Sequence, residues 1–264
     1  MTKGKENRIS RLVNPHSGKS LIIAVDHGMA LGPMKGIVDI RATFQRLNYA
    51  ADAWLMTKGI LEHCFEPDGH TGIIMRVSGG ATAAGPDLTR ERITATVEEA
   101  LSLGADAVAI TAFIGSAYEH ETLTNMASVA TSCRRWNVPL CGVIGVGKDK
   151  ERMANPKFLA LGARAAAEHG ADIVKTYYTY DGFPEVVAGC PVPVMIAGGP
   201  KCDTEEDTLG MIRGAMQDGA EGIVMGRNIW QSPDPARMID VVRRIIHEGL
   251  SLEDSLELYQ KGEA

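Results

Sequence analysis

Apolar positions along the chain gather in short, nearly continuous runs and do not alternate with polar ones. The runs are Leu21 to Val25, Ala53 to Met56, Ile73 to Val77, Ala107 to Ile110, Leu140 to Ile144, Ile173 to Thr176, Val194 to Ala197 and Gly222 to Met225. Continuous runs of this length suit parallel strands covered on both faces. Between several of them lie segments with alanines and charges at helical spacing, around Phe44 to Tyr49, Val97 to Leu103, Ala163 to His169 and Ile212 to Asp218. Eight strand–helix units in 264 residues predict an α/β chain folded as a single (β/α)8 TIM barrel over residues 1–264. Residues 1–20 read as a lead-in segment and 251–264 as a C-terminal helix. An open doubly wound sheet is the other arrangement, but no Gly-x-Gly-x-x-Gly follows the first run.

Four of the runs share a heading of small residue and acid: Ala51-Asp52, Gly104-Ala105-Asp106, Gly170-Ala171-Asp172 and Gly219-Ala220-Glu221. Aligned on those acids, the position three residues on is Leu55, Ala109, Lys175 and Val224. One repeat therefore carries an amine where its siblings carry hydrocarbon. A buried ammonium is driven toward the neutral form, and a neutral amine can attack a carbonyl to form an imine. A lysine that snorkels to solvent from a strand end, or pairs with a carboxylate, is the structural alternative.

Composition narrows the classes of function. Acidic side chains outnumber basic ones 33 to 27, for a net charge of −6, which argues against a nucleic-acid footprint. Five scattered cysteines without a Cys-x-x-Cys spacing read as reduced thiols. With no export signal and no long apolar stretch, a cytoplasmic location is expected. The histidines form no ligand-spaced pair, so no metal site is expected. Gly142 to Lys148 nearly matches a nucleotide-binding loop, but Asp149 stands where Ser or Thr should hold magnesium.

In a TIM barrel the reactive groups follow the strands. Asp26, at the end of the first run, is a candidate for proton transfer or a turn cap, and His27 a candidate acid/base or an ordinary loop histidine. Gly198-Gly199 and Gly226-Arg227, after the seventh and eighth runs, stand where barrels hold phosphate. Ser78 offers a further polar edge to a substrate, or marks a plain turn.

Taken in order, Val25-Asp26-His27-Gly28, Asp172-Ile173-Val174-Lys175-Thr176, Ile196-Ala197-Gly198-Gly199-Pro200-Lys201 and Met225-Gly226-Arg227-Asn228-Ile229 resemble the Schiff-base (class I) aldolases of the archaeal-type fructose-bisphosphate aldolase family. The resemblance implies that Lys175 forms the imine, that Asp26 works as acid/base, and that Gly198, Gly199, Gly226 and Arg227 hold phosphate. Ile114 to His120, Gly145 to Asp149 and Lys175-Thr176-Tyr177-Tyr178 are more similar to the branch of 3-hydroxy-5-phosphonooxypentane-2,4-dione thiolases. That branch implies coenzyme A as co-substrate, no bound cofactor, and acetyl-CoA and dihydroxyacetone phosphate as products; sugar-phosphate aldol cleavage is the alternative. Family aldolases carry Tyr-Pro-Arg-Gly after the fifth strand, where this chain has Ile144-Gly145-Val146-Gly147. A homo-oligomer built from rings, possibly a decamer, is also implied.

Overall fold

Each apolar run becomes a strand because it is covered twice, by the barrel interior on one side and by helices on the other. In the computed structural model, which describes residues 1–47, 50–147 and 149–261, the strands are β1 (Ser20–Ala24), β2 (Ala53–Thr57), β3 (Gly72–Arg76), β4 (Ala107–Phe113), β5 (Leu140–Gly145), β6 (Ile173–Tyr177), β7 (Val194–Ala197) and β8 (Gly222–Met225). All are parallel, each lies beside its neighbours in sequence, and β8 returns to β1 to close a barrel. The seam is fixed by Ser20 opposite Gly222 and Ile23 opposite Met225. Alternate residues of each strand point inward. Ile22, Leu55, Ile74, Ala109, Cys141, Ile173, Met195 and Val224 fill the interior, while Ile23, Trp54, Val108, Val174, Ile196 and Ile223 pack against the helical layer.

The acid at the head of three repeats acquires a structural role here. Asp52, Asp106 and Asp172 each accept a backbone N–H from the start of the preceding strand, from Leu21 at 2.6 Å, Ile73 at 3.0 Å and Leu140 at 2.9 Å. At the fourth, the link to the preceding strand is the Glu221 backbone N–H, which donates to the Val194 carbonyl at 2.8 Å. The lead-in segment uses the same carboxylates. Its helix, Lys3–Ile9, delivers Lys5 to Asp172 at 2.9 Å, and Arg11 reaches Asp106 at 2.8 Å. Leu12 then enters the interior cluster fully buried. Residues 1–20 thus close the bottom of the barrel, opposite the strand ends where chemistry is expected.

Helix ends follow the sequence more closely than helix starts. Gly104, Gly170 and Gly219 stand just past Val97–Ser102, Pro156–Glu168 and Glu205–Gln217 with φ of 81°, 101° and 98°, a conformation that only glycine adopts cheaply. The expected segments Ala163 to His169 and Ile212 to Asp218 are only the second halves of their helices, which begin after the Asn155 and Thr204 caps. The expected Phe44 to Tyr49 segment is the end of a helix over Ile40–Leu47; Tyr49 lies outside the described residues. The C-terminal helix is Leu252–Lys261, and 262–264 lie outside the described residues. No helix among the described residues is long and apolar enough to cross a membrane.

Candidate active site

Lys175 sits on β6 between Val143 of β5 and Met195 of β7. Two residues before it, Ile173 points into the barrel, and so do the aligned repeat positions Leu55, Ala109 and Val224. Lys175 therefore occupies an interior position near the top of the barrel, where the other repeats place hydrocarbon. No described residue hydrogen-bonds or ion-pairs with its amine. Burial lowers the pKa of that amine; the nearby Asp26 carboxylate opposes the shift, and Arg76 and Arg227 reinforce it.

Asp26 follows β1 and is 5% exposed. Its Oδ2 accepts from Arg76 Nη1 at 2.6 Å, and its Oδ1 lies 3.6 Å from His27 Nδ1. Burial pushes this carboxyl up, but Arg76, Lys175 and His27 together outweigh it and hold the pKa at about 2. Asp26 is thus an ionised carboxylate at neutral pH. His27 goes the other way: burial first, with Lys175, Arg227 and Arg76 adding to it against the pull of Asp26, lowers its pKa to about 4. Its ring meets Trp230 edge-on at 5.6 Å.

The loops after β7 and β8 are stitched together. Asn228, 1% exposed, donates to the Gly198 carbonyl at 2.8 Å and accepts from the Cys202 N–H at 2.8 Å. Arg227 Nη2 donates to the Gly199 carbonyl at 2.6 Å. Gly199 takes φ of 61°, which turns the chain back over the barrel mouth. Arg227 Nε is buried without a hydrogen-bond partner among the described residues, a donor free for an outside acceptor. Gly226 is required on packing grounds as well. A Cβ there would come within 2.5 Å of both the Ala24 carbonyl oxygen and His27 Cε1.

His27, Arg76, Lys175, Tyr177, Gly199 and Arg227 line one cavity of about 550 Å³ at the C-terminal ends of the strands. Of the residues singled out from the sequence, His27, Lys175, Gly198, Gly199, Gly226 and Arg227 line this cavity, whereas Asp26, buried against Arg76, does not, and Ser78 needs a correction. Ser78 does not line this cavity; it is 3% exposed, its hydroxyl donates to Glu91 at 2.8 Å and accepts the Thr111 N–H at 3.2 Å. A hydroxyl so engaged has nothing left for a phosphate. The near-match to a nucleotide-binding loop is also accounted for, since Gly142 to Gly145 lie within β5, in register with Ile110 to Phe113; Lys148 lies outside the described residues. Of the two tyrosines that follow Thr176, Tyr177 lines the cavity, whereas Tyr178 turns away to donate to Asp218 at 2.8 Å and pack on Phe183.

Arg76 and Glu91 escaped the sequence reading. Arg76 was hidden in an apolar strand, yet it follows inward-pointing Ile74 by two residues. A charge at that parity was the available signal. Nothing in the sequence linked Glu91 to it.

A family model described as DeoC/LacD family aldolase matches residues 20–232. The chain belongs to the DeoC/LacD aldolase family. It is 37% identical over 258 residues to a 3-hydroxy-5-phosphonooxypentane-2,4-dione thiolase of Enterobacter sp. (strain 638), covering 98% of this chain and 86% of that one. Its identity to the protein of the same name from Escherichia coli (strain K12) is 38% over 256 residues, covering 97% and 87%. Among solved structures, an archaeal fructose 1,6-bisphosphate aldolase superposes with a TM-score of 0.83 at 30% identity, covering 93% of this chain and all of that one. A second structure of an archaeal fructose-1,6-bisphosphate aldolase, at 30% identity, TM-score 0.82 and covering 92% of this chain and 99% of that one, has its catalytic lysine covalently bound to the carbinolamine intermediate of the substrate. This member of the family is accordingly a class I, lysine-dependent enzyme.

Proposed function

We propose that this enzyme cleaves a carbon–carbon bond of 3-hydroxy-5-phosphonooxypentane-2,4-dione by transferring its acetyl end to coenzyme A, through an imine on Lys175. One observation carries the reading: an interior lysine without a partner among the described residues, its amine shifted toward neutrality, opens on a cavity whose rim holds an arginine with a buried donor that no described residue matches. The amine attacks the ketone next to the phosphoryl-bearing carbon, and loss of water, with uptake of one solvent proton that the final hydrolysis returns, leaves a protonated imine. Asp26, ionised and adjacent, takes the proton of the thiol substrate. The thiolate adds to the acetyl carbonyl, the bond from that carbon to the hydroxyl-bearing carbon breaks, and its electron pair enters the imine as an enamine. Asp26 returns the proton to the hydroxyl-bearing carbon, and water releases dihydroxyacetone phosphate from Lys175. Arg227, with the backbone of Gly198, Gly199 and Gly226, grips the phosphate; His27, neutral at pH 7, lines the substrate cavity.

Aldol cleavage of a sugar phosphate shares the same imine and is the second reading, favoured by the likeness to the archaeal aldolases and by Tyr177 in the cavity. Borohydride reduction in the presence of the ketone phosphate, followed by mass spectrometry, should add substrate-derived mass to Lys175. Turnover with and without coenzyme A then separates the two readings. A rate indifferent to the thiol eliminates the transferase, and no adduct on Lys175 eliminates both.

A further inference from the structure

Arg76 is engaged on every edge of its guanidinium. Nη1 donates to Asp26, Nη2 reaches both Glu91 oxygens at 2.7 and 2.9 Å and Thr111 Oγ1 at 2.7 Å, and Nε donates to the Ser78 carbonyl at 3.1 Å. Glu91 is itself held, because Ser78 Oγ donates to it. It arrives from the connection between β3 and β4, next to a two-residue ladder in which Ser78 faces Ile93 and Gly79 faces Arg92. Side-chain exposure is 6% for Asp26, 14% for Arg76 and 6% for Glu91. Two carboxylates share one guanidinium, so a negative charge remains for the lysine side of the cavity.

The groups facing Asp26 are Arg76 from β3, Lys175 from β6, Cys141 from β5 and His27 from its own loop. Three of them are unreliable as counter-charges. Lys175 must shed its proton to attack, burial keeps His27 neutral, and the Cys141 thiol, pushed up to about 11 by burial, is uncharged and can only ionise to an anion. Arg76 alone stays charged and in contact throughout.

We propose that Arg76, clamped by Glu91, is a positioning residue for the reaction: it keeps Asp26 an oriented carboxylate beside Lys175 while the charge on Lys175 comes and goes. This rests on the roles given to Lys175 and Asp26 above. Without a fixed cation, burial of Asp26 goes unopposed and its protonated form takes over near neutral pH, which disables it as a base.

The test is kcat against pH at saturating ketone phosphate and coenzyme A, for the wild type, for Arg76→Met combined with Glu91→Gln, and for Arg76→Lys. Removing Glu91 together with Arg76 leaves Asp26 as the carboxylate deprived of its cation, with no second orphaned ion beside it. Loss of the Lys175 proton gives every variant one acid limb; in the wild type Asp26 should add no further limb above pH 5. The double variant should gain one between about pH 6 and 8, so that kcat falls by ~100-fold two units below the new limb, as one proton per tenfold requires, and recovers in alkali. Arg76→Lys keeps the charge without the fork and should shift the limb by less. The proposal is overturned if either variant lowers kcat by one constant factor at every pH, the mark of a merely structural role; should the double variant not fold, Arg76→Lys decides by itself. Borohydride trapping on Lys175 in the same samples keeps the two ideas apart. Failure to trap in the wild type defeats the imine reading, whereas normal trapping with an unmoved limb defeats this one.

Discussion

Replacing Lys175 with methionine should abolish turnover and make the protein more stable. Methionine fills nearly the same space with a flexible apolar chain, and Lys175 has no hydrogen bond among the described residues to lose. The attraction to Asp26 disappears, but Asp26 keeps Arg76 at 2.6 Å. Lys175 is half-buried and lines the cavity, so its partial withdrawal from water costs ~1 kcal/mol, the low end for an unsatisfied polar group in mutational series. At about 2–4 °C per kcal/mol for a chain near this size, Tm should rise by about 2–4 °C. The pH dependence gives a sharper check. Burial lowers the folded-state pKa below the ordinary 10.5, so below the folded value both native and unfolded chains carry the proton and the full penalty stands. As pH climbs toward 10.5, the unfolded chain keeps its proton longer and the penalty fades. The Tm gain from Lys175→Met should therefore be largest at pH 6–7 and shrink toward pH 10. Differential scanning calorimetry across that range decides it; a Tm equal to or below the wild type, or a gain independent of pH, would refute the claim that the amine is held under strain by its surroundings.

Arg227→Ala should raise KM for the ketone phosphate by ~10–150-fold, the equivalent of a charged hydrogen bond, while leaving kcat nearly unchanged; an unaltered KM would remove Arg227 from the phosphate site. In Gly226→Ala the new Cβ meets the Ala24 carbonyl and His27 at 2.5 Å, and urea unfolding should show a loss of ~1–3 kcal/mol. His27 falls from 6.5 to about 4 in the folded state, so the unfolded chain binds the extra proton between those values and stability drops as pH falls through that window. His27→Gln should remove up to about 3 kcal/mol of that acid sensitivity at 1.36 kcal/mol per unit, read from urea midpoints at pH 7 and pH 4; parallel midpoints for the two proteins would contradict it.

The barrel was legible because its evidence is local. Buried parallel strands need apolar residues on both faces, so Val194–Ala197 and Gly222–Met225 could be read from the chain with their bounds intact. Helix C-termini announced themselves through Gly104, Gly170 and Gly219, since a left-handed residue admits few alternatives. Lys175 stood out against its own repeats for the same reason, as a polar residue where the interior wants hydrocarbon. Ser78 was misplaced because a serine beside glycines looks alike whether it faces a ligand or a buried glutamate.

Residue order alone determined the fold class, the strands and the one anomalous amine, all of which follow from periodicity and from the cost of burying charge. Only closure of the barrel decided what stands beside that amine. Asp26, Arg76 and Glu91 come from separate segments and meet because β1, β3 and the connection after β3 converge at one end of the barrel. The energy of a buried charge depends on which opposite charges lie within a few ångströms, and no local pattern in the chain encodes that distance.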